Sequence, residues 1–196
     1  METAEKNEPE KKEDRRVRRT KKLLTQALTE LLQKKQINEI TVKELTDLAD
    51  MNRGTFYLYY KDIFDMLEKI EDGMFEALDE ILARHVREVP EKGTLPILLD
   101  LFSFIEENQS MCRVLLSPHG DMNFLHRLDE VLREKCLILW PGLKDASESP
   151  EFDYHYHFIV FGCAGLIRSW VNRNCEESSA SMAALTDTMI RRGSLH

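Results

Sequence analysis

The chain has 196 residues, of which 42% are hydrophobic, a composition that excludes a protein disordered along its whole length. Its 27 Lys and Arg and 35 Asp and Glu give a formal net charge of −8, which taken alone argues against a nucleic-acid partner. The charge is unevenly divided, however, because residues 15–61 carry 11 basic and 5 acidic side chains, net +6, whereas residues 62–196 carry 13 basic and 24 acidic ones, net −11. The basic block therefore keeps nucleic acid among the expected partners.

Residues 1–14 are mostly charged and contain Pro9, so we expect a disordered tail without the apolar segment of a secretory signal. The longest apolar run free of charge and histidine, residues 158–167, has 10 residues against the ~20 needed to cross a bilayer. The four cysteines form no Cys-x-x-Cys pair, which argues against a zinc site. We expect a cytoplasmic protein with reduced thiols and no membrane partner.

A first helix is predicted from about residue 15, because apolar residues recur at helical spacing from Val17 to Leu32. Its first two turns are crowded with arginine and lysine. Positive charge at a helix N-terminus opposes the helix dipole, so an anion is the expected neighbour. Residues 36–40 then break the pattern.

Two short helices follow. Thr41 is predicted to cap the first, with Glu44 completing a capping box. Its predicted buried stripe comprises Val42, Leu45, Leu48 and Ala49. A polar turn over residues 50–52 leads to a helix from Arg53 to about Tyr60, capped by Asn52. Two short helices joined by a tight turn are typical of a helix-turn-helix.

The remainder also has helical periodicity. Asp62 is predicted to cap a long helix that begins at Ile63, and Pro90, Gly93 and Pro96 mark the next boundary. Further helices are predicted at about residues 95–107, 109–116, 121–139, 151–174 and 179–192. Because no segment alternates like a strand, the predicted fold class is all-α, with about nine helices.

The second helix of a helix-turn-helix presents its first residues to base edges in the major groove. Arg53 can form a bidentate contact with guanine, Gly54 permits close approach, and Thr55 can reach a phosphate or a thymine methyl. Tyr57 and Tyr59 offer phenol donors to phosphate, and Lys61 adds a cation. The alternative is that the aromatic residues only pack helices together, as we expect of Phe56 and Tyr60.

Residues 40–62, ITVKELTDLADMNRGTFYLYYKD, resemble the DNA-binding domain of the TetR family of bacterial transcriptional regulators. The resemblance implies a DNA-binding domain at residues 15–61 and a ligand-binding and dimerisation domain at residues 62–196. Residues 104–108, 114–117 and 165–170 more weakly resemble the dihydroxyacetone-kinase regulators of Firmicutes. The positions that match the DNA-facing residues of the family are Thr41, Arg53, Gly54, Thr55, Tyr57, Tyr59 and Lys61.

Three positions depart from the family pattern. The family usually has Gly where this chain has Asp50, and a small cap where it has Asn52. It often has a phosphate-contacting Lys where this chain has Ile63, so Lys61 or the basic first helix would have to supply that charge. Aspartate tolerates a left-handed backbone better than most residues, so the turn is expected to form.

The resemblance also implies a homodimer formed by the last two helices and an effector pocket in the regulatory domain. The predicted helix at 151–174 is apolar on more than one face, which fits an interface, although a monomer core is the alternative. Aromatic and methionine side chains are the candidate pocket lining, although plain core is again the alternative for each. The candidates are Phe102, Phe104, Met111, Phe124, Trp140, Tyr154, Tyr156 and Trp170.

The expected function is that of a repressor released from a palindromic double-stranded DNA operator by a small-molecule effector. The alternative is a helical dimer that acts as a co-regulator through a protein or metabolite without specific DNA recognition. No nucleotide-binding or hydrolase motif occurs, so we expect no enzyme activity, cofactor or metal.

Overall fold

The computed structural model describes residues 15–85, 93–117, 122–139 and 150–193, and all regular structure within these ranges is helical. The all-α prediction is confirmed. The predicted tail at residues 1–14 and the candidate pocket residue Trp140 lie outside the described residues. The nine α-helices of the described ranges are α1 (Arg15–Leu32), α2 (Val42–Leu48), α3 (Arg53–Tyr57), α4 (Ile63–His85), α5 (Leu95–Glu107), α6 (Gln109–Leu115), α7 (Met122–Leu139), α8 (Pro150–Asn172) and α9 (Ser179–Gly193).

The chain divides into two compact units, Met1–Met66 and Leu67–His196, with the boundary inside α4. In the first unit α1 packs on α2, and α2 packs on α3. A short 3₁₀ turn at Ile37–Glu39 occupies the predicted break. The fully buried side chains of this unit include Leu24, Leu28, Leu45, Phe56 and Met66.

One core prediction in this unit is wrong. Leu48, placed in the buried stripe of α2 by its spacing, is 44% exposed, and Thr46 is buried instead. The Thr46 hydroxyl donates to the Val42 carbonyl at 2.8 Å, which satisfies its polar group inside the core. Leu48 is the last residue of α2, where the chain turns toward α3.

In the second unit, α5 packs along α9 and α6 packs against α8. At the centre of its main core the Phe102 and Trp170 rings meet edge to face, 5.3 Å apart. The buried Trp170 indole donates to the Glu177 carbonyl at 2.9 Å, which satisfies its N–H. Around them lie the buried residues Leu98, Ile105, Cys112, Val171, Met182, Ala183 and Ile190.

The end of α8 is held by a residue distant in sequence. Asn174 and Cys175 both adopt left-handed backbone, with φ of 57° and 53°, and terminate the helix. Arg113 of α6 donates to the Val171 carbonyl at 2.7 Å and to Asn174 Oδ1 at 3.0 Å. The Val171 carbonyl also accepts the Asn174 N–H at 3.1 Å, so Arg113 adds a second donor to a carbonyl at the helix end.

A buried carboxylate connects the start of α5 to α9. Asp187 is only 3% exposed, and its Oδ1 accepts a hydrogen bond of 2.7 Å from the hydroxyl of Thr94, which precedes α5. The Arg191 guanidinium pairs with the other carboxylate oxygen. A buried carboxylate needs such partners, since desolvation without them is costly. Among the described helices, none has the length and apolar character to cross a membrane.

Candidate functional site

The turn between α2 and α3 depends on an aspartate in left-handed backbone. Asp50 has a φ of 52°, where the related DNA-binding domains usually have glycine. The Met51 N–H donates to the Thr46 carbonyl at 2.9 Å, which closes the end of α2. The energetic cost of left-handed backbone is lower for short polar side chains such as aspartate than for other non-glycine residues. The turn therefore forms without glycine.

Asn52 then caps α3, as its sequence position predicts. Its Oδ1 accepts from the Thr55 N–H at 2.9 Å and from the Thr55 hydroxyl at 3.2 Å. The hydroxyl proton of Thr55 is therefore already donated to Asn52, which leaves the methyl group and the oxygen lone pairs of Thr55 for contacts with a ligand. A Cβ at Gly54 would lie 3.2 Å from the same Oδ1, so glycine also relieves crowding at the cap.

The helix that follows has one buried and one exposed face. Phe56 and Tyr60 are buried, whereas Arg53 and Gly54 are exposed and Tyr57 is 58% exposed. Thr55 and Tyr59 are half-buried. The helix ends at Tyr57, earlier than predicted, although the Tyr60 N–H still bonds the Phe56 carbonyl at 3.1 Å. The exposed side chains lie in or beside the first turn, where a helix-turn-helix contacts bases.

Thr41 is exposed and caps α2, and its oxygen accepts the Glu44 N–H at 3.2 Å. Its hydroxyl proton can therefore still be donated to a phosphate oxygen. The predicted reciprocal bond from Glu44 is replaced, since the Glu44 carboxylate lies 2.6 Å from Lys35 Nζ.

Lys61 and Ile63 stand at the start of α4. The Lys61 N–H donates to Asp65 Oδ2 at 2.9 Å, and the Asp65 N–H donates to Asp62 Oδ1 at 2.8 Å, so two carboxylates fix this corner. The Lys61 side chain is exposed. Ile63 is only 4% exposed, so it belongs to the core and not to the surface where the resemblance led us to expect a phosphate-contacting lysine.

The second unit holds a cavity of about 200 Å³. The described residues that line it are apolar apart from two threonine hydroxyls and two cysteine thiols. Thr94 donates to Asp187, and Thr186 donates to the Met182 carbonyl at 2.8 Å, so both hydroxyl protons are engaged. Lining residues include Met74, Phe75, Leu78, Leu82, Thr94, Phe102, Phe104, Cys112, Phe124, Leu128, Cys163, Ala164 and Thr186.

The two thiols add no charge to this cavity. Burial raises the pKa of Cys112 to about 12 and that of Cys163 to about 11, so both are protonated at neutral pH. An ionised ligand group would therefore find no countercharge among the lining side chains that the structure describes, and it would lose its hydration. The cavity fits a hydrocarbon group.

Residues 93–192 match the family described as the transcriptional regulator C-terminal region of the TetR type. This match covers half of the chain. The chain belongs to the TetR family of transcriptional regulators.

Two curated relatives carry names of the same kind. The chain is 26% identical over 164 residues to the uncharacterized HTH-type transcriptional regulator YxbF of Bacillus subtilis, covering 82% of this chain but 41% of YxbF. It is 25% identical over 177 residues to DhaS of Lactococcus lactis, the HTH-type transcriptional activator of the dhaKLM operon, covering 89% of this chain and 81% of DhaS. The chain thus spans about two fifths of the length of YxbF.

Solved TetR-type structures share the fold. The fatty acid degradation regulator FadR of Bacillus halodurans aligns with a TM-score of 0.66 at 15% identity, covering 95% of this chain and 100% of that protein. FadR of Bacillus subtilis, solved in complex with stearoyl-CoA, aligns with a TM-score of 0.59 at 17% identity. The alignment covers 89% of this chain and 99% of that protein. At sequence identities of 15% and 17%, the likeness shows a shared fold and nothing more specific.

In this TetR protein, only some of the eight residues predicted to line a pocket lie at the cavity. Phe102, Phe104 and Phe124 line the cavity. Met111 and Trp170 are buried but are not among its lining residues, and Tyr154 is 73% exposed. Tyr156 is buried elsewhere, with its hydroxyl 2.8 Å from the carbonyl oxygen and from Oδ1 of Asp129.

Sequence reasoning missed residues in both sites. On the helix-turn-helix, Lys43 is exposed in the first turn of α2, and Leu58, after α3, is 75% exposed. Lys43 belongs to the basic block at residues 15–61, which could have indicated it as a DNA-contacting residue, whereas no feature of the sequence indicated that Leu58 would be exposed. In the cavity, the candidate residues did not include Met74, Leu78 and Leu82 of α4, which line it.

Proposed function

We propose that this protein is a homodimeric regulator that binds a palindromic DNA operator, acts as a repressor and is released by an apolar effector. The observation that carries the proposal is the first turn of α3. Asn52 and Phe56 hold the helix, while Arg53 and Tyr57 project from its exposed face. This arrangement suits insertion into the major groove.

The residues around α3 supply the phosphate contacts. Thr41, Lys43 and Lys61 are exposed at the starts of α2 and α4. The first two turns of α1 add six basic side chains, with no acidic residue in the first turn. Contacts of this kind position a protein on DNA without reading sequence, and they make binding depend on salt.

DNA binding is tested by fluorescence anisotropy with duplexes from the region upstream of the gene. For Arg53→Ala we expect a loss of about 5- to 100-fold on the operator, the value of a bidentate base contact, and little loss on random duplex. For Lys61→Ala we expect uniform weakening and a salt slope reduced by about one per subunit.

Two surface cations outside the proposed interface serve as controls. Arg84→Ala removes an exposed arginine paired with Asp100, and Lys34→Ala removes an exposed lysine paired with Glu30. Both variants should bind the operator as the wild type does. Equal affinity of the wild type for operator candidates and random duplex at physiological salt would refute sequence-specific regulation.

The dimer is proposed from an exposed apolar face on the last two helices. Tyr154, Phe158 and Phe161 of α8 are each more than 60% exposed, and Leu185 and Met189 of α9 are also exposed. A Cβ at Gly162 or Gly165 of α8 would meet no atom within 4 Å, so this surface leaves room for a partner helix. Exposed apolar surface of this kind marks interaction sites.

Analytical ultracentrifugation tests this interface. Phe161→Asp should convert a dimer into a monomer and abolish operator binding, because the two half-sites would no longer be bound together. Phe64→Asp is the control for oligomeric state, since Phe64 is comparably exposed on α4. A Phe161→Asp variant that remains dimeric would contradict the interface.

The effector is proposed from the uncharged, apolar cavity of about 200 Å³. An engineered apolar cavity of roughly 150 Å³ suffices for benzene, so this one accommodates a larger hydrocarbon group. The fold neighbour FadR of Bacillus subtilis was solved with stearoyl-CoA, which supports an acyl chain as occupant. An effector of this kind should weaken operator binding by its differential affinity for the two states of the dimer.

A second candidate function is a co-regulator without specific DNA recognition. Burial of Ile63 favours it, because the family's phosphate-contacting lysine has no equivalent at this position. The same anisotropy experiment decides between the two functions, since a co-regulator would show no preference for any duplex.

A further inference from the structure

An ion pair contacts one of the aromatic residues that line the cavity. The Arg127 guanidinium of α7 stacks over the Phe75 ring, with its carbon 4.3 Å from the ring centroid. Its Nη1 donates to Asp72 Oδ1 of α4 at 2.6 Å. Phe75 and Phe124, whose rings are 5.0 Å apart, both line the cavity. The Arg127 guanidinium therefore contacts an aromatic ring that lines the cavity.

We propose that Arg127 anchors the anionic head group of an amphiphile whose hydrocarbon chain fills the cavity, and that this anion replaces Asp72 as the partner of Arg127. The inference rests on the proposed function, which it extends from an apolar effector to an anionic one. The ligand class is a medium- or long-chain carboxylate or its phosphate-bearing thioester.

The division of polarity supports an anionic amphiphile. The two threonine hydroxyls of the cavity donate their protons to protein acceptors, and the two thiols are neutral, so among the described lining residues a carboxylate inside would meet only weak S–H donors and no cation. Arg127 offers a guanidinium with several donors next to the wall. A carboxylate at Arg127 with its chain inside would satisfy both environments.

The resident ion pair can be exchanged at little cost. The Arg127 and Asp72 side chains are 48% and 46% exposed, and exposed ion pairs contribute little net stability. An incoming anion would find a cation already ordered by its stacking on Phe75. Exchange would also release α7 from Asp72 of α4, so head-group binding would alter the contact between these helices.

A closely matched arginine on the same helix provides the control. Arg133 also pairs with a carboxylate, Asp153, and lies over an aromatic ring, 5.2 Å from the centroid of Tyr156. Tyr156 is not among the lining residues of the cavity. Arg127→Gln and Arg133→Gln therefore remove similar surface interactions, but only the first removes a cation beside the cavity wall.

The experiment is calorimetric titration of the full chain with decanoate, 1-decanol and decanoyl-CoA below their aggregation concentrations. Decanoate should bind the wild type more tightly than decanol does. Arg127→Gln should weaken decanoate about tenfold, the lower range for a charge-assisted hydrogen bond, because the site is half exposed. Arg133→Gln should leave decanoate unchanged, and neither variant should affect decanol.

Asp72→Asn removes the competing carboxylate and should tighten decanoate by about two- to fivefold, the value of an exposed ion pair. Decanoyl-CoA distinguishes a carboxylate head group from a phosphate one. If Arg127→Gln weakens the binding of decanoyl-CoA about tenfold but does not weaken the binding of decanoate, Arg127 binds the phosphates of the thioester. If decanoate and decanol bind equally and Arg127→Gln changes neither affinity, Arg127 does not bind a head group, but the proposal of an apolar effector is kept. If none of the three compounds binds the wild type, the head-group site and the apolar effector are both refuted.

Discussion

Partly filling the cavity should stabilise the protein and weaken binding of its effector, and Ala164→Leu makes this change. Ala164 lines the cavity from α8. The variant adds three carbons to a side chain of the lining. The cavity of about 200 Å³ has room for them, and they would occupy part of the space open to a bound hydrocarbon chain.

The stabilisation can be estimated from the added apolar groups. Three buried carbons contribute about 2.4 kcal/mol at ~0.8 kcal/mol each, and ordering a leucine side chain costs roughly 0.5–1 kcal/mol. A net gain of about 1.5 kcal/mol corresponds to a rise in Tm of roughly 3–6 °C for a domain of this size. Urea and thermal unfolding followed by circular dichroism measure the gain, and calorimetry measures the loss of decanoate binding.

Ala180→Leu is the control, because Ala180 is exposed on α9 and the same three carbons would remain in water. Its free energy of unfolding should stay within about 0.5 kcal/mol of the wild-type value. A destabilised Ala164→Leu would show that the cavity cannot take the added carbons. A stabilised variant that binds decanoate as tightly as the wild type does would show that the chain binds elsewhere.

Two further predictions concern the cap and the thiols. Asn52→Ala should lower the free energy of unfolding by about 1 kcal/mol while Asn52→Ser retains it, and urea titration giving equal stability for both would contradict the capping role. Because burial raises the pKa of Cys112 to about 12 and of Cys163 to about 11 from 9.0, their contribution to stability is complete below pH 9 and is lost as pH rises toward those values. Urea titrations from pH 8 to 11 should therefore show falling stability, and Cys163→Ala should make the fall shallower.

Local features of the fold could be read from the sequence. The caps at Thr41 and Asn52 and the turn at Asp50 depend on residues within a few positions of one another, and the structure has all three. The early end of α3 was not predicted, because its last residues keep helical hydrogen bonds without forming a full helix. Element type depends on local chemistry, whereas boundaries depend also on what the chain packs against.

Features that depend on distant contacts were not predictable. Trp170 and Tyr154 have the same aromatic character in the sequence, but one is buried against Phe102 and the other is exposed. The cap on α8 comes from Arg113, 58 residues before Val171. Burial of Asp187 likewise depends on Thr94, 93 positions away. Apolar periodicity predicts that a residue is buried somewhere but not which neighbour or cavity it meets.

The division of α3 between supporting and exposed residues has a consequence for evolution and protein engineering. Asn52, Phe56 and Tyr60 hold the helix, whereas Arg53 and Tyr57 make the exposed surface. Substitutions at Arg53 should leave the free energy of unfolding within about 0.5 kcal/mol, whereas loss of the Tyr57 ring should cost about 1 kcal/mol, because it meets Phe56 edge to face with centroids 5.4 Å apart. Descendants of one ancestral gene can therefore diverge at these two positions without compensating changes in the core. A library randomised at Arg53 and Tyr57 should likewise consist mostly of folded proteins.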